Sequence, residues 1–510
     1  MSSAPAEAQT LARAGASGVA WQSLAQVVSR ALTLIATIVL ARVLSVEEYG
    51  LVAAALVVIG FVETVADAGV AQALVYLPRR AGLVRASFAI SLGAGTVLAG
   101  VVMAAAPAAA RVFGQAGVEP LVRALGVVVL LTALAAVPDA LLRRALEFRR
   151  LTYAVMLRGA ASAGVTLTLL ALGSGPWSLV WGTVAGAASY LVCCWLLAPR
   201  GVARSLWGRV DATDMRTTLR FGAPVAGNQF LSRAAFDVDY LVVGALLGST
   251  ALGVYTLAFR LPEMVIIQVC FVIAGVMYPL YTRARATPHL LERAWVVSTQ
   301  AQVLFGLTAG VGLAVIGQDL VPLVFGTQWA SAGDVLVVLA LYAGVRAMAN
   351  GANEVYKALG RPMISLWTSI ARLCVLIPAL VLGTQWGVLG VAFAHLATEC
   401  LFVAIKQTIA SRLLRLPPAA VWSMLGPGVL GAVGIAVVAG IVAQTPLSGW
   451  ALVIVTVLGG LLVAPGLVLV CYPEVVTTLA AVMPGRAGAV VLRLCRPFTR
   501  TYAARHSRGS

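Results

Sequence analysis

Fourteen stretches of about twenty apolar residues, joined by short polar links, leave this chain few ways to fold. They lie near 18–40, 50–74, 86–109, 117–139, 152–172, 177–198, 219–246, 252–280, 295–317, 332–356, 363–383, 387–409, 420–443 and 449–472. Each is long enough to cross the roughly 30 Å hydrocarbon core of a bilayer as a helix. In that medium no water is available to the backbone, and a helix pairs its amides internally. Charged residues make up 11% of the chain, against roughly 25% in a soluble domain. An ordinary soluble fold is thereby excluded, and the expected class is an all-α polytopic membrane protein.

The net charge of +17 does not point to nucleic acid, because the basic residues fall in alternate links. Arg79, Arg80 and Arg85 follow the second stretch, and Arg143, Arg144, Arg149 and Arg150 the fourth. Arg200, Arg204, Arg209 and Arg216 follow the sixth; Arg283, Arg285 and Arg293 the eighth. Lys357 and Arg361 follow the tenth, Lys406, Arg412 and Arg415 the twelfth, and the tail after the fourteenth carries six more arginines. The opposite links, such as Gly173-Ser-Gly-Pro and Gly248-Ser-Thr, carry no charge. Positive residues mark the cytoplasmic side, so both termini are expected there, with contacts to anionic lipid in these links. Residues 1–17 are small and polar, without the pattern of a cleavable signal, and the first apolar stretch is long enough to remain as a span. The seven cysteines show no CxxC spacing and read as small packing residues. Trp177, Trp329 and Trp386, near outer span ends, read as interfacial anchors.

The sequence repeats itself. Gln26-Val-Val-Ser-Arg30-Ala in the first span matches Gln229-Phe-Leu-Ser-Arg233-Ala in the seventh, 203 residues on. At the same offset Leu44 matches Leu247, Gly50 matches Gly253, and Arg80 matches Arg283. Each half holds six spans, an even number, so both halves enter from the same side as parallel repeats about an axis along the membrane normal. The expected organisation is an N-terminal segment (1–17), a first lobe (18–199), a link (200–218), a second lobe (219–409), two further spans (420–472) and a basic tail (473–510).

Gln26 and Arg30 share a helix face, continued by Thr33 and Thr37; Gln229, Arg233 and Asp237 form the equivalent stripe. A lipid-facing arginine at midspan costs several kcal/mol, so both arginines should face the interior or a water-filled cavity. Two readings stand: structural ion pairs (Arg233 with Asp237, Arg30 with an acid on the second span), or the lining of a substrate cavity. Arg346 and Arg372 are also near midspan, and clustered guanidiniums suit a phosphate or diphosphate. Asp67, Asp237 and Asp239 are candidates for ion coupling, with a counter-ion role as the alternative for each. Arg260 and Glu263, three residues apart, are expected to pair; Arg123, Asp139 and Arg158 are expected to snorkel to the interface. His395 reads as a satisfied packing residue. A GxxxxGK[ST] phosphate loop is absent, as are the HExxH, CxxC and GxSxG patterns. No cofactor, metal or catalytic residue is expected.

Several segments carry a resemblance. LARVLSVEEYG, with DAGVAQALV from Asp67, FDVDYLVVGALLGSTALGVYTLAFRLPEM from Phe236, LVFGTQWASAG from Leu323, YKALGRP from Tyr356 and GTQWGVLGVAFAH from Gly383, resembles the polysaccharide biosynthesis flippases. That family belongs to the superfamily of multidrug exporters and oligosaccharidyl-lipid flippases. The resemblance implies two six-helix lobes around a cleft with two added helices, a MATE-like fold. It implies an undecaprenyl-diphosphate-linked oligosaccharide, moved from the cytoplasmic to the outer leaflet of a bacterial cytoplasmic membrane for surface polysaccharide synthesis. By this reading Arg30, Arg233, Gln26 and Gln229, with Arg346 and Arg372, bind the substrate; membrane lipids, a glycan polymerase and glycosyltransferases are the further partners. The alternatives are a lipid II flippase or ion-coupled exporter of the same superfamily, and a membrane-embedded glycan polymerase.

Overall fold

The computed structural model describes residue 26 and residues 28–472, except 79, 200–201, 203–205, 207, 271–272, 274–276, 278–280, 283 and 285–286. The terminal segments 1–17 and 473–510 therefore lie outside the described residues, as do Arg79, Arg200, Arg204, Arg283 and Arg285. All regular structure among the described residues is helical. The helices are α1 (28–43), α2 (Val46–Glu63), α3 (Val70–Tyr76), α4 (Ala81–Val112), α5 (Val118–Arg144), α6 (Phe148–Ala171) and α7 (Trp177–Leu197). There follow α8 (Ala212–Pro262), α9 (Pro288–Phe325), α10 (Ala330–Ala358), α11 (Pro362–Gly383), α12 (Gly387–Leu413), α13 (Pro418–Val442) and α14 (Trp450–Cys471).

Local chemistry sets several boundaries. Ser45 starts α2 with a capping box: Glu48 donates its N–H to Ser45 Oγ at 3.2 Å, and Ser45 donates its own to Glu48 Oε2 at 2.9 Å. Arg144 of α5 donates to the carbonyl of Leu74 at 2.6 Å and to that of Leu77, closing the end of α3.

Ten stretches among the described residues are long and apolar enough to cross a membrane. Two of them, Ala212–Cys270 with 59 residues and Pro362–Leu413 with 52, far exceed one crossing, since a helix rises about 1.5 Å per residue. Each bends where two expected spans meet. The first breaks at Gly248, with φ 86° and ψ 174°; the second turns through Thr384–Trp386 into Gly387 at φ 69°. The multi-pass, all-helical class holds; the count of fourteen stays an expectation at α1 and at α2, whose three acids set it apart.

The chain divides into two compact units, Met1–Gly253 and Val254–Ser510, a division inside α8 rather than in the 200–218 link. In the first unit α5 is central, packing on α2, α3, α4 and α7, and 61% of its apolar window is buried against 28% for α4, α6 and α7. In the second, α10 has that place, with α9, α11 and α12 around it. These are the expected fourth and tenth spans, six apart, so the repeat is also one of burial.

The repeat-related glycines Gly50 and Gly253 meet. A Cβ on Gly253 would lie 3.0 Å from Gly50 Cα, and one on Gly50 would overlap the Ser249 carbonyl. One expectation fails: Trp329 is fully buried, packed behind the turn at Gly326, and is no interfacial anchor, whereas Trp386 is 72% exposed. Cys194 and Cys270 are buried packing residues, while Cys374, Cys400 and Cys471 are exposed.

Replacing Gly50 by Ala forces backbone apart and is expected to lower stability by about 1–3 kcal/mol. Gly164→Ala, with nothing near its Cβ, should be neutral or stabilising. Thermal unfolding in detergent separates the two; equal midpoints for both variants would contradict the close approach.

Candidate functional site

On α1 the polar stripe is largely satisfied by its own backbone. Thr33 Oγ1 donates to the Ser29 carbonyl and Thr37 Oγ1 to that of Thr33, each at 2.8 Å. Ser29 itself packs against Gly159 of α6. Arg30 is half-buried on this helix and Gln26, one turn earlier, is exposed. The acids of α2 and its connection are taken elsewhere. Glu63 Oε1 accepts from Thr132 at 2.8 Å and from Arg158 Nη2 at 3.1 Å. Asp67 caps α3, accepting from Gly69 N at 3.1 Å and Ala71 N at 3.3 Å. Among the described residues Arg30 therefore has no ion-pair partner, and its expected pair with an acid on the second span is not formed. Asp67 is thus engaged by backbone N–H groups at the start of α3.

The equivalent stripe on α8 is arranged differently. Arg233 forms an ion pair with Asp237, one turn on. Its guanidinium lies over Gly60 of α2, where a Cβ would come within 2.9 Å of Nη2. Gln229 is half-buried, and its Nε2 has no hydrogen-bond partner among the described residues. Phe230 meets Phe61 edge-on with ring centroids 6.2 Å apart. Asp239 is 1% exposed. Asp237 thus serves as counter-ion to Arg233 in this state.

Arg158 and Asp139, expected to snorkel, are engaged in a polar network. Besides Glu63, Arg158 stacks 5.6 Å from the Tyr190 ring centre. Tyr190 donates to Asp139 Oδ1 at 2.8 Å, and Asp139 Oδ2 accepts from Arg143 at 2.8 Å. The network ties α2, α5, α6 and α7 together, because each charge at membrane depth has an opposite charge within reach. Arg123, half-exposed, pairs with Glu119 at 2.7 Å, and Arg260 with Glu263 at 3.8 Å.

The second unit holds the most buried charge cluster described. Glu399 of α12 accepts from Arg372 Nε of α11 at 2.9 Å and lies 3.5 Å from Arg346 Nη1 of α10, both on Oε2. Arg346 Nη1 also donates to the Tyr342 hydroxyl at 2.6 Å. His395, one turn before Glu399, joins the cluster through both ring nitrogens. Nε2 lies 3.2 Å from Arg372 Nη2, and Nδ1 lies 3.2 Å from the Tyr255 hydroxyl. Arginine has no acceptor, so Nε2 accepts and the proton sits on Nδ1, directed at Tyr255. Tyr342 packs on the same imidazole, with ring centroids 4.0 Å apart. Lys406, expected in a link, lies inside α12 and is 6% exposed.

Arg346 and Arg372 are thus brought together, both committed to one carboxylate; Arg30 and Arg233 belong to the other unit. Their partner is the signal that reading the arginines alone passes over: Glu399 is the one acid between residues 355 and 473. Glu399→Ala leaves two buried guanidiniums without their counter-ion and is expected to cost about 3–5 kcal/mol. Glu399→Asp should lose less than Glu399→Ala. An unfolding midpoint unchanged by Glu399→Ala would contradict the pairing.

The comparisons with known proteins agree with this architecture. Residues 39–334 match the family described as polysaccharide biosynthesis protein. The lipopolysaccharide biosynthesis protein WzxC of Escherichia coli (strain K12) is 25% identical over 411 residues, 78% of this chain and 82% of that protein. The succinoglycan biosynthesis transport protein ExoT of Rhizobium meliloti (strain 1021) is 26% identical over 361 residues, 69% of this chain and 71% of that protein. Among solved structures, the lipid II flippase MurJ in an inward closed conformation aligns with a TM-score of 0.70 at 13% identity, covering 89% of this chain and 98% of that one. An inward-facing multidrug resistance MATE transporter aligns with a TM-score of 0.63 at 15% identity, covering 76% of this chain and 94% of that one. These likenesses fix the fold as the MATE-like one expected. The chain belongs to the polysaccharide biosynthesis protein family and is a multi-pass membrane transporter rather than an enzyme.

Proposed function

We propose that this transporter flips an undecaprenyl-diphosphate-linked oligosaccharide from the inner to the outer leaflet of a bacterial cytoplasmic membrane, for surface polysaccharide synthesis. The observation that carries the reading is the repeat-related pair Arg30 and Arg233. Both sit near midspan, where an arginine has to be given a reason, and neither is locked into a buried network as Arg346 and Arg372 are. A guanidinium on each of two related spans suits the several oxygens of a diphosphate. The names of WzxC and ExoT, in lipopolysaccharide and succinoglycan synthesis, support the glycan class.

In this account Arg30 and Arg233 with Gln26 and Gln229 receive the diphosphate and first sugar in a cleft between two lobes, 18–199 and 219–409, while the lipid tail stays in the bilayer. Arrival of the diphosphate competes with Asp237 for Arg233, so the ion pair opens on loading. The lobes rock about their common axis in alternating access, and an ion gradient resets them, with Asp237 and Asp239 as the acids placed to respond. Arg346 and Arg372 serve as a frame within the second lobe. Both termini face the cytoplasm, and a polymerase that consumes the flipped glycan is the natural partner.

The test is glycan export in a deletion strain complemented with wild type or Arg30→Ala/Arg233→Ala, with the leaflet of the lipid-linked oligosaccharide followed directly. Losing charge-assisted bonds to both arginines should reduce flipping by at least about tenfold, while membrane insertion is unchanged and the intermediate stays in the inner leaflet. Normal export by the double variant would refute the site; normal export without the protein would refute the substrate.

A further inference from the structure

The leading turns of α8 carry a second arrangement of charge, apart from the arginine stripe. One face of this segment is fixed by its neighbours. The Asp214 carboxylate lies against Gly82 at the start of α4, and Gly222 abuts the backbone at Gly69. Thr218 is 1% exposed, its Oγ1 donating to the Asp214 carbonyl at 2.9 Å. Phe221 stacks on Tyr76 with ring centroids 4.8 Å apart and 12° between planes. Residues at 214, 218, 221 and 222 therefore point inward.

The other face carries Arg216 and Arg220 one turn apart, with exposed Leu219 beside them, while Met215 is half-buried against the cluster that includes Leu74 and Leu83. With Ala212 they line an open cavity of about 570 Å³. Among the described residues neither arginine has an ion-pair partner. The segment leads into the span expected from residue 219, and Tyr76, 73% exposed, sits where aromatic side chains mark the membrane–water boundary.

We propose that this cavity binds the phosphate of an anionic membrane phospholipid. The two guanidiniums take the phosphate oxygens by charge-assisted hydrogen bonds, and exposed Leu219, with the outer edge of half-buried Met215, takes the glycerol end of the acyl chains. Exposed apolar surface beside the cations is the reason to assign a lipid rather than a free anion. The held lipid pins the leading end of α8 at the membrane surface. The site is separate from the proposed transport of glycan and stands whether or not that reading holds.

Native mass spectrometry of the purified chain tests it, with phosphatidylglycerol and phosphatidylcholine of identical acyl chains as probes. Wild type should retain phosphatidylglycerol in preference. Arg216→Gln/Arg220→Gln should weaken phosphatidylglycerol binding by about thirtyfold, from about fivefold for each of the two basic side chains near an anionic surface, and leave phosphatidylcholine unchanged. Arg216→Lys/Arg220→Lys should keep most of the preference, and Arg123→Gln all of it. Equal retention of the two lipids by wild type would overturn the proposal, and that measurement does not depend on any variant folding. Undiminished phosphatidylglycerol binding by the Gln variant would also overturn it, as would displacement of the lipid by millimolar inorganic phosphate alone, which would mark a free-anion site.

Discussion

A charge in hydrocarbon must find an opposite charge or water, and the interior of this chain is organised around that demand. Glu399 answers it for two arginines at once, drawing α10, α11 and α12 to one carboxylate oxygen. Glu63 and Asp139 do the same for Arg158 and Arg143 among α2, α5, α6 and α7. Between apolar helices in lipid, van der Waals packing and a few polar contacts supply the association. These networks therefore act as the registry marks of the two units: each specifies which helices meet and at what height.

Within that frame the arginines separate by how they are held. Arg346 and Arg372 are buried and share Glu399, and Arg372 also meets the His395 imidazole, whose Nε2 accepts from it. Such a site holds helices. Among the described residues Arg233 pairs with a counter-ion one turn away on its own helix and lies over Gly60 of α2. Arg30 has no ion pair among the described residues. A transporter that must grip and release an anion needs cations of this second kind, whose partners can be exchanged at small cost.

Much of the fold was legible because the bilayer imposes a length and the repeat imposes a period. The spans, the alternating basic links and the offset of 203 residues follow from counting. The meeting of Gly50 and Gly253, and the shared burial of the fourth and tenth spans, are the spatial form of that same repeat. The sites were less legible, since pairing in space is not spacing in sequence. Glu399 is 27 residues from Arg372 and 53 from Arg346, and Glu63 is 95 from Arg158. Those separations carry no periodic signal, so the partners of Arg158 and Arg346 could not be read from the sequence. Pairs within one helix turn, such as Arg233 with Asp237 and Arg260 with Glu263, could be read directly.

The central claim is that Arg30 and Arg233 face a water-filled path while Arg346 and Arg372 do not. Single cysteines at these four positions, in a background with the seven native cysteines replaced, can be probed in membranes with a small, membrane-impermeant thiol reagent. The account predicts rapid labelling at 30 and 233, protection of both by added lipid-linked oligosaccharide, and slow labelling at 346 and 372. Labelling at 346 and 372 with none at 30 and 233 would contradict it, and would move the transport path to the Glu399 cluster.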